Sequence, residues 1–241
     1  MIGGQKWSPF FMPCSKIAFN FRYIYMRVKL EIPTDLSEVK LHQYQKYLKI
    51  QENNSDDTFL ASKMIEVFCG LDLKDAFKMK ATDVYRITAI LGEMFEQKPK
   101  LVQRFIMDGV EYGFIPNLDD MSLGEYIDLD THLSDWQNMH LAMAVLYRPI
   151  KQKLKHKYLI QDYEAKDQEK MKNMPMDAVL SSMLFFYRLG IDLSQVMTSY
   201  LEQEEDKTIA LRDSLEQSGV GIHRFTHSLK GILEGLNISL N

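Results

Sequence analysis

Cysteine is almost missing from this chain: 241 residues carry two, Cys14 and Cys69. Two distant thiols make neither a disulfide framework nor a zinc knuckle, and they suit a reducing compartment. Long apolar runs are missing too. None approaches the ~20 residues that a bilayer-spanning helix needs, so no membrane span is expected. There is no excess of basic charge. The net charge is −4 and the isoelectric point about 5.9, which argues against the broad positive field of a nucleic-acid binder. Catalytic loops are also lacking. No Walker loop, Gly-x-Gly-x-x-Gly or Gly-x-Ser-x-Gly occurs, so the residue types that cradle phosphates or present a serine nucleophile are not in place. Gly219-Val220-Gly221 has no preceding strand pattern, and Asn237-Ile238-Ser239 fits a glycosylation sequon without a secretion signal.

What is present is an ordinary globular composition, 46% hydrophobic and 26% charged, with 15 methionines. The chain is long enough to bury a sizeable core without staples. Residues 1–25 hold Lys6, Lys16 and Arg22, no acid, and the breaks Pro9 and Pro13. They make a poor signal peptide. The expectation is an extension, either not native or disordered, with the native product starting at Met26; a basic arm that docks on a partner is the rival. Residues 26–201 are expected to form the main helical domain. Residues 202–241 are expected as a helical annex, since apolar content drops near Glu202 to Lys207.

The periodicity supports a mainly α fold with a small antiparallel β element. Val28, Leu30 and Ile32 alternate with charges, the period of a half-buried strand. Leu41, Tyr44 and Leu48 repeat at helical spacing, as do Phe59, Leu60, Met64, Val67 and Phe68 before Gly70. A short helix at LKDAFKM and a longer one ending before Pro99 follow. A hairpin is expected near 101–115, because Asp108-Gly109 separates two apolar runs and both turn residues tolerate positive φ. Ser122-x-x-Glu125 and Ser134-x-x-Gln137 read as capping boxes, predicting helix starts near Leu123 and Asp135. Residues 150–173 read as charged loop with some helix. MPMDAVLSSMLFFYRLG reads as a buried helix C-capped by Gly190, packed on the helix that carries Trp136, with a long polar helix after it.

The acids of the central segment invite a catalytic or metal reading. Asp128, Asp130, His132, Asp135 and His140 lie close in sequence. In a calcium loop starting at Asp128 the third acidic position is His132, the glycine position is Leu133 and the twelfth is Met139, so the template fails. His132 and His140 are eight apart, about 12 Å along a helix, too far to share one ion. Glu125 and Asp128 would share a helix face as an acid pair. Helix starts gather such acids for a simpler reason, the positive end of the dipole. Cys69 follows Phe68 on an apolar helix face, the place of a small core residue. The expectation is therefore no catalytic residue, no metal and no cofactor.

Charge layout is more informative. From Phe105 to Tyr147 there is no Lys or Arg, yet Asp108, Glu111, Asp119, Asp120, Glu125, Asp128, Asp130 and Asp135 all fall there. Arg148, Lys151, Lys153, Lys155 and Lys157 then follow without an acid. Two readings stand: pairing across a fold-back, or two faces for two partners. The residues singled out for partner binding are Glu125, Asp128, Asp130, Trp136 and Arg148.

One resemblance adds to this. LHQYQKYLKI, MIEVFCGL, VEYGFIPNLDDMSLGEYIDLD, DWQNMHLAMAVLYRPI and MPMDAVLSSMLFFYRLG together resemble a family of small tailed-bacteriophage morphogenesis proteins. Within that family the chain is most similar to tail assembly chaperones, helical proteins that hold the tape measure protein during tail building. The resemblance spans about Met26 to Leu201. It implies a non-enzymatic assembly role in the host cytoplasm, with virion proteins as partners and homo-oligomers as a possibility. A client of that kind requires adaptable apolar grooves, which methionine-rich helices supply, and charged rims. The alternative it implies is a virion structural protein, such as a head–tail connector or ring subunit. A metal-dependent enzyme is the third reading.

Overall fold

The computed structural model describes residues 17–22, 27–155, 157–166 and 168–203. The expected annex beyond residue 203 and the first 16 residues lie outside the described residues. Strand β1 (Ile17–Arg22) pairs antiparallel with β2 (Arg27–Ile32), so part of the segment expected as an extension lies against the strand that follows it. Helices α1 (Leu41–Glu52), α2 (Asp57–Cys69), α3 (Leu73–Ala76) and α4 (Ala81–Phe95) come next. Asp56 caps α2 by accepting from Phe59 N–H, and Gly70 ends it at φ +69, a conformation that costs glycine little. The fold is mainly α with a small four-stranded antiparallel sheet, as the periodicity predicts.

That sheet has the order β3-β4-β5-β6. Strands β3 (Arg104–Met107) and β4 (Val110–Phe114) flank Asp108 at φ +51 and Gly109 at φ +77, the double positive-φ turn the dipeptide predicts. Helix α5 (Leu123–Leu133) and helix α6 (Met139–Leu146) then cross before the chain returns to the sheet. The return is a finding the sequence reading missed. Strands β5 (Tyr147–Leu154) and β6 (Lys157–Ile160) stand where charged loop with some helix is expected. Pro149 sits within β5, where a proline argues against a strand. Lys155 takes φ +52 at the turn, without the glycine or asparagine that advertises one.

Two further expectations are corrected. Ser134 does not open a capping box. It is the C-cap of α5, and Asp135 caps a 3-10 turn at Trp136–Asn138 by accepting from Gln137 N–H at 2.8 Å. Asp and Ser cap equally well, so the neighbour one residue on takes the role. Gly190 does not end a helix either. Helix α7 (Met176–Gln203) runs straight through it. Gly190 is buried, so packing outweighs the ~1 kcal/mol that a mid-helix glycine costs.

The core is layered on α7. Met176, Val179, Leu180, Met183 and Leu184 are buried, as are Met139, Met143 and Leu146 of α6. Ser182 Oγ, which donates to Val179 C=O at 2.8 Å, lies 3.4 Å from Met143 Sδ, so α7 meets α6; Trp136, expected on that helix, lies in the 3-10 turn before it. Leu41 N–H donates to Met174 C=O and Met176 N–H to Val39 C=O, both at 2.9 Å, which stitches the start of α7 to that of α1. Tyr147 joins sheet to helix: its hydroxyl donates to Val102 C=O at 2.8 Å, and its ring lies 5.2 Å from Phe114, which in turn meets Phe185 of α7 edge-on at 5.6 Å. Such ring pairs add ~0.5–1.5 kcal/mol each beyond area burial.

Two stability predictions follow from this packing. A Cβ on Gly113 meets Tyr158 Cε2 at 2.5 Å and Ile150 Cγ1 at 3.1 Å. Gly113→Ala is expected to lower stability by ~1–3 kcal/mol in denaturant unfolding, and Tyr158→Ala in the same chain to relieve part of the clash. Burial raises the Asp177 carboxyl to about 6, against the usual 3.8. A folded-state value above the unfolded one favours the native state at acidic pH, and that stabilisation is lost as pH rises from about 4 to about 6. Asp177→Asn is expected to flatten this decline, worth up to ~3 kcal/mol, and to leave the protein more stable than the parent at pH 7.

Candidate functional site

Helix α5 begins where Ser122 and Glu125 exchange hydrogen bonds. Glu125 N–H donates to Ser122 Oγ at 3.3 Å, and Ser122 N–H donates to Glu125 Oε2 at 2.7 Å. The other carboxylate oxygen, Oε1, takes Arg148 Nη1 at 2.7 Å. Both side chains are nearly buried, at 8% and 11% exposure. Arg148 opens the basic run and Glu125 belongs to the acidic one, so the charge boundary in the sequence is an ion pair in space. Lys153 pairs with Glu111, and Lys151 with Asp162 at 2.8 Å. Pairing across a fold-back is thus the reading that the geometry favours for these cations.

The five residues singled out for partner binding scatter. Glu125 and Arg148 bond each other. Asp128 accepts from Tyr163 O–H at 2.8 Å, and Gln168 donates to that same hydroxyl at 2.8 Å. Burial and the Asp128 carboxylate push the Tyr163 phenol up to about 12. Trp136 packs edge-on against Tyr44 at 4.9 Å, and its carbonyl accepts from the buried Gln45 at 2.7 Å. Only Asp130 of the five is exposed. The acids suspected as metal ligands are equally dispersed. His140 is buried in α6 and faces Glu169 at 3.3 Å, and burial together with Lys172 holds it below its ordinary value. Among the described residues no three His, Cys, Asp or Glu side chains gather to hold a metal ion. Burial raises the Cys69 thiol to about 12, as fits a packed cysteine.

What the geometry does bring together is an outward stripe on α5. Glu125, Leu129 and Leu133, four apart, face the core and are buried. Leu123, Tyr126 and Ile127, at i, i+3 and i+4, face away from it at 75%, 47% and 52% exposure. Exposed Asp119, Asp120 and Asp130 flank them, with no cation paired to these carboxylates among the described residues. The helix therefore carries two apolar stripes, one buried and one in water with an acidic rim. Sequence reasoning missed Leu123, Tyr126 and Ile127. The signal was available: LGEYIDLDTHL holds more apolar positions than one core-facing stripe can use.

Beside α5 lies an open cleft of about 1170 Å³ between β6, the Pro116–Ser122 loop and Phe185 of α7. Arg148 lines it and also lines a smaller cleft of about 360 Å³ towards Met171. Arg148 Nε is buried without an acceptor among the described residues. Among the described residues no helix is long and apolar enough to cross a membrane.

The pair at the base of the site sets a prediction. Removing one member of a buried pair strands the other's charge, at a cost of ~3–5 kcal/mol. Glu125→Ala is expected to destabilise the parent by about that much. In an Arg148→Met background the same change is expected to cost at least ~1 kcal/mol less, read from a double-mutant cycle in denaturant.

Comparison with protein families, with curated proteins and with solved structures finds no match to this chain.

Proposed function

We propose that the protein is a non-enzymatic assembly factor that shelters an amphipathic helix of a partner on the outer face of α5. The observation that supports this is the stripe Leu123, Tyr126 and Ile127 with its acidic rim. Exposed apolar side chains that adjoin one another and are rimmed by polar groups mark interaction surfaces. An apolar face flanked by carboxylates selects a helix whose own apolar stripe is flanked by Lys or Arg, since complementary fields set orientation and on-rate. A buried pair beneath, Glu125–Arg148, ties the first turn of the presenting helix to β5. Met139 and Met143 of α6 and Met176 and Met183 of α7 sit in the core rather than at this face, so the adaptable surface that the family resemblance suggests is supplied by Leu123, Tyr126 and Ile127 instead.

The resemblance to tail assembly chaperones names the partner in this reading: a long helical phage tape measure protein, held in the host cytoplasm. Nucleic acid is not part of it, because the run Lys151 to Lys157 is partly neutralised by Glu111 and Asp162.

Co-expression with a tape measure protein tests the proposal. A soluble complex that survives gel filtration is expected, and Leu123→Asp with Ile127→Asp is expected to abolish it while leaving the thermal transition unchanged. A client equally insoluble with and without this protein contradicts the reading, as does a complex indifferent to the double substitution.

A further inference from the structure

Strand β6 is the end strand of its sheet, paired only with β5 among the described residues. Gln161 N–H donates to Pro149 C=O at 2.9 Å, so that amide points at β5. The irregularity in this pair lies between Ile150 and Gln152 on β5, and β6 itself is regular. Alternation therefore turns the backbone N–H and C=O of Tyr158 and Ile160 away from β5, towards the open side. All of β6 lines the cleft of about 1170 Å³. Leu159 and its near neighbour Leu154 are each 52% exposed.

Open apolar edges are ordinarily blunted by charge, proline or a covering segment. This one is flanked by charge at its hairpin end. Lys155 and Lys157 are exposed, and neither pairs with a carboxylate among the described residues, whereas Lys151 and Lys153 on the same hairpin do. The pleat fixes what fits beside β6. On one face Tyr158 and Ile160 are half-buried; on the other Lys157 and Leu159 are exposed. A neighbouring strand with apolar side chains on the inner face, and with an apolar residue and an acid on the outer one, matches both.

We propose that β6 is a strand-addition site that takes an extended, apolar, acid-ended segment of a partner protein, separate from the helix-binding face of α5. The segment extends the sheet through the outward backbone groups of Tyr158 and Ile160, and its acidic end lies against Lys155 and Lys157. A second copy of this chain fits less well, because its own hairpin brings another pair of unneutralised lysines.

The test uses the full chain and a fluorescent synthetic peptide of about ten residues, the length of a long strand, with alternating Val and Thr and two Glu at one end. Versions with the acids at either terminus cover both strand directions. Saturable binding is expected, weakened at least about tenfold when alternate peptide nitrogens on the pairing edge are methylated, since two or more hydrogen bonds are then lost. Lys155→Glu with Lys157→Glu is expected to turn the preference from Glu-ended to Lys-ended peptide. Hydrogen exchange at the Tyr158 and Ile160 amides is expected to slow on binding. Three results overturn the proposal: no binding in either direction, equal binding of the methylated peptide, or unchanged exchange at those two amides. Protection of the same amides by raising protein concentration alone overturns it in favour of a second copy.

Discussion

Glu125 spends both of its carboxylate oxygens. One closes the cap of α5 on Ser122 N–H, the other meets Arg148 of β5, each at 2.7 Å. The same residue therefore starts a helix and ties that helix to a strand at the middle of the sheet. A buried pair of this kind adds little net stability by itself, because desolvation offsets most of the attraction. Its contribution is positional. With α5 pinned at its first turn and seated on Leu129 and Leu133, the opposite stripe of the helix has one place to go, which is solvent.

The consequence is a division of charge. Carboxylates and cations near the joint cancel locally: Glu125 with Arg148, Glu111 with Lys153, Asp162 with Lys151. The groups left over are separated in space. Asp119 and Asp120 precede α5 and Asp130 lies one turn beyond Tyr126 and Ile127, while Lys155 and Lys157 stand at the tip of the β5–β6 hairpin beside Leu154 and Leu159. In the proposed binding roles, apolar contact area supplies affinity at each place, and the residual charge supplies selectivity of opposite sign. On the two proposals made above, a helix with basic flanks and a strand with an acidic end are directed to different sites on one small protein.

Legibility in the sequence tracked how local each determinant was. The strand at β2, helices α1 to α4, the Asp108-Gly109 turn and the Ser122 cap were readable because each rests on periodicity or on a residue's own dihedral preference. The β5–β6 hairpin was not. Pro149 interrupts it, and its turn uses Lys155 in a left-handed conformation where no glycine or asparagine stands. Gly190 misled in the other direction: a good stop signal is overridden once tertiary packing buries it. Of the residues proposed for binding, Asp130 was placed on the outer face, whereas Glu125 and Arg148 were drawn inward by each other. Their partnership, 23 residues apart, leaves no mark that a linear pattern can show beyond the abrupt change of sign at Arg148.

The outer face of α5 as a helix-binding surface is tested most directly by hydrogen exchange on the full chain, with and without a synthetic amphipathic helix whose apolar stripe is flanked by lysines. Protection concentrated over residues 119–133, weakening as salt screens the acidic rim, is the result predicted. Protection confined to other elements, or none at peptide concentrations that saturate binding, contradicts it.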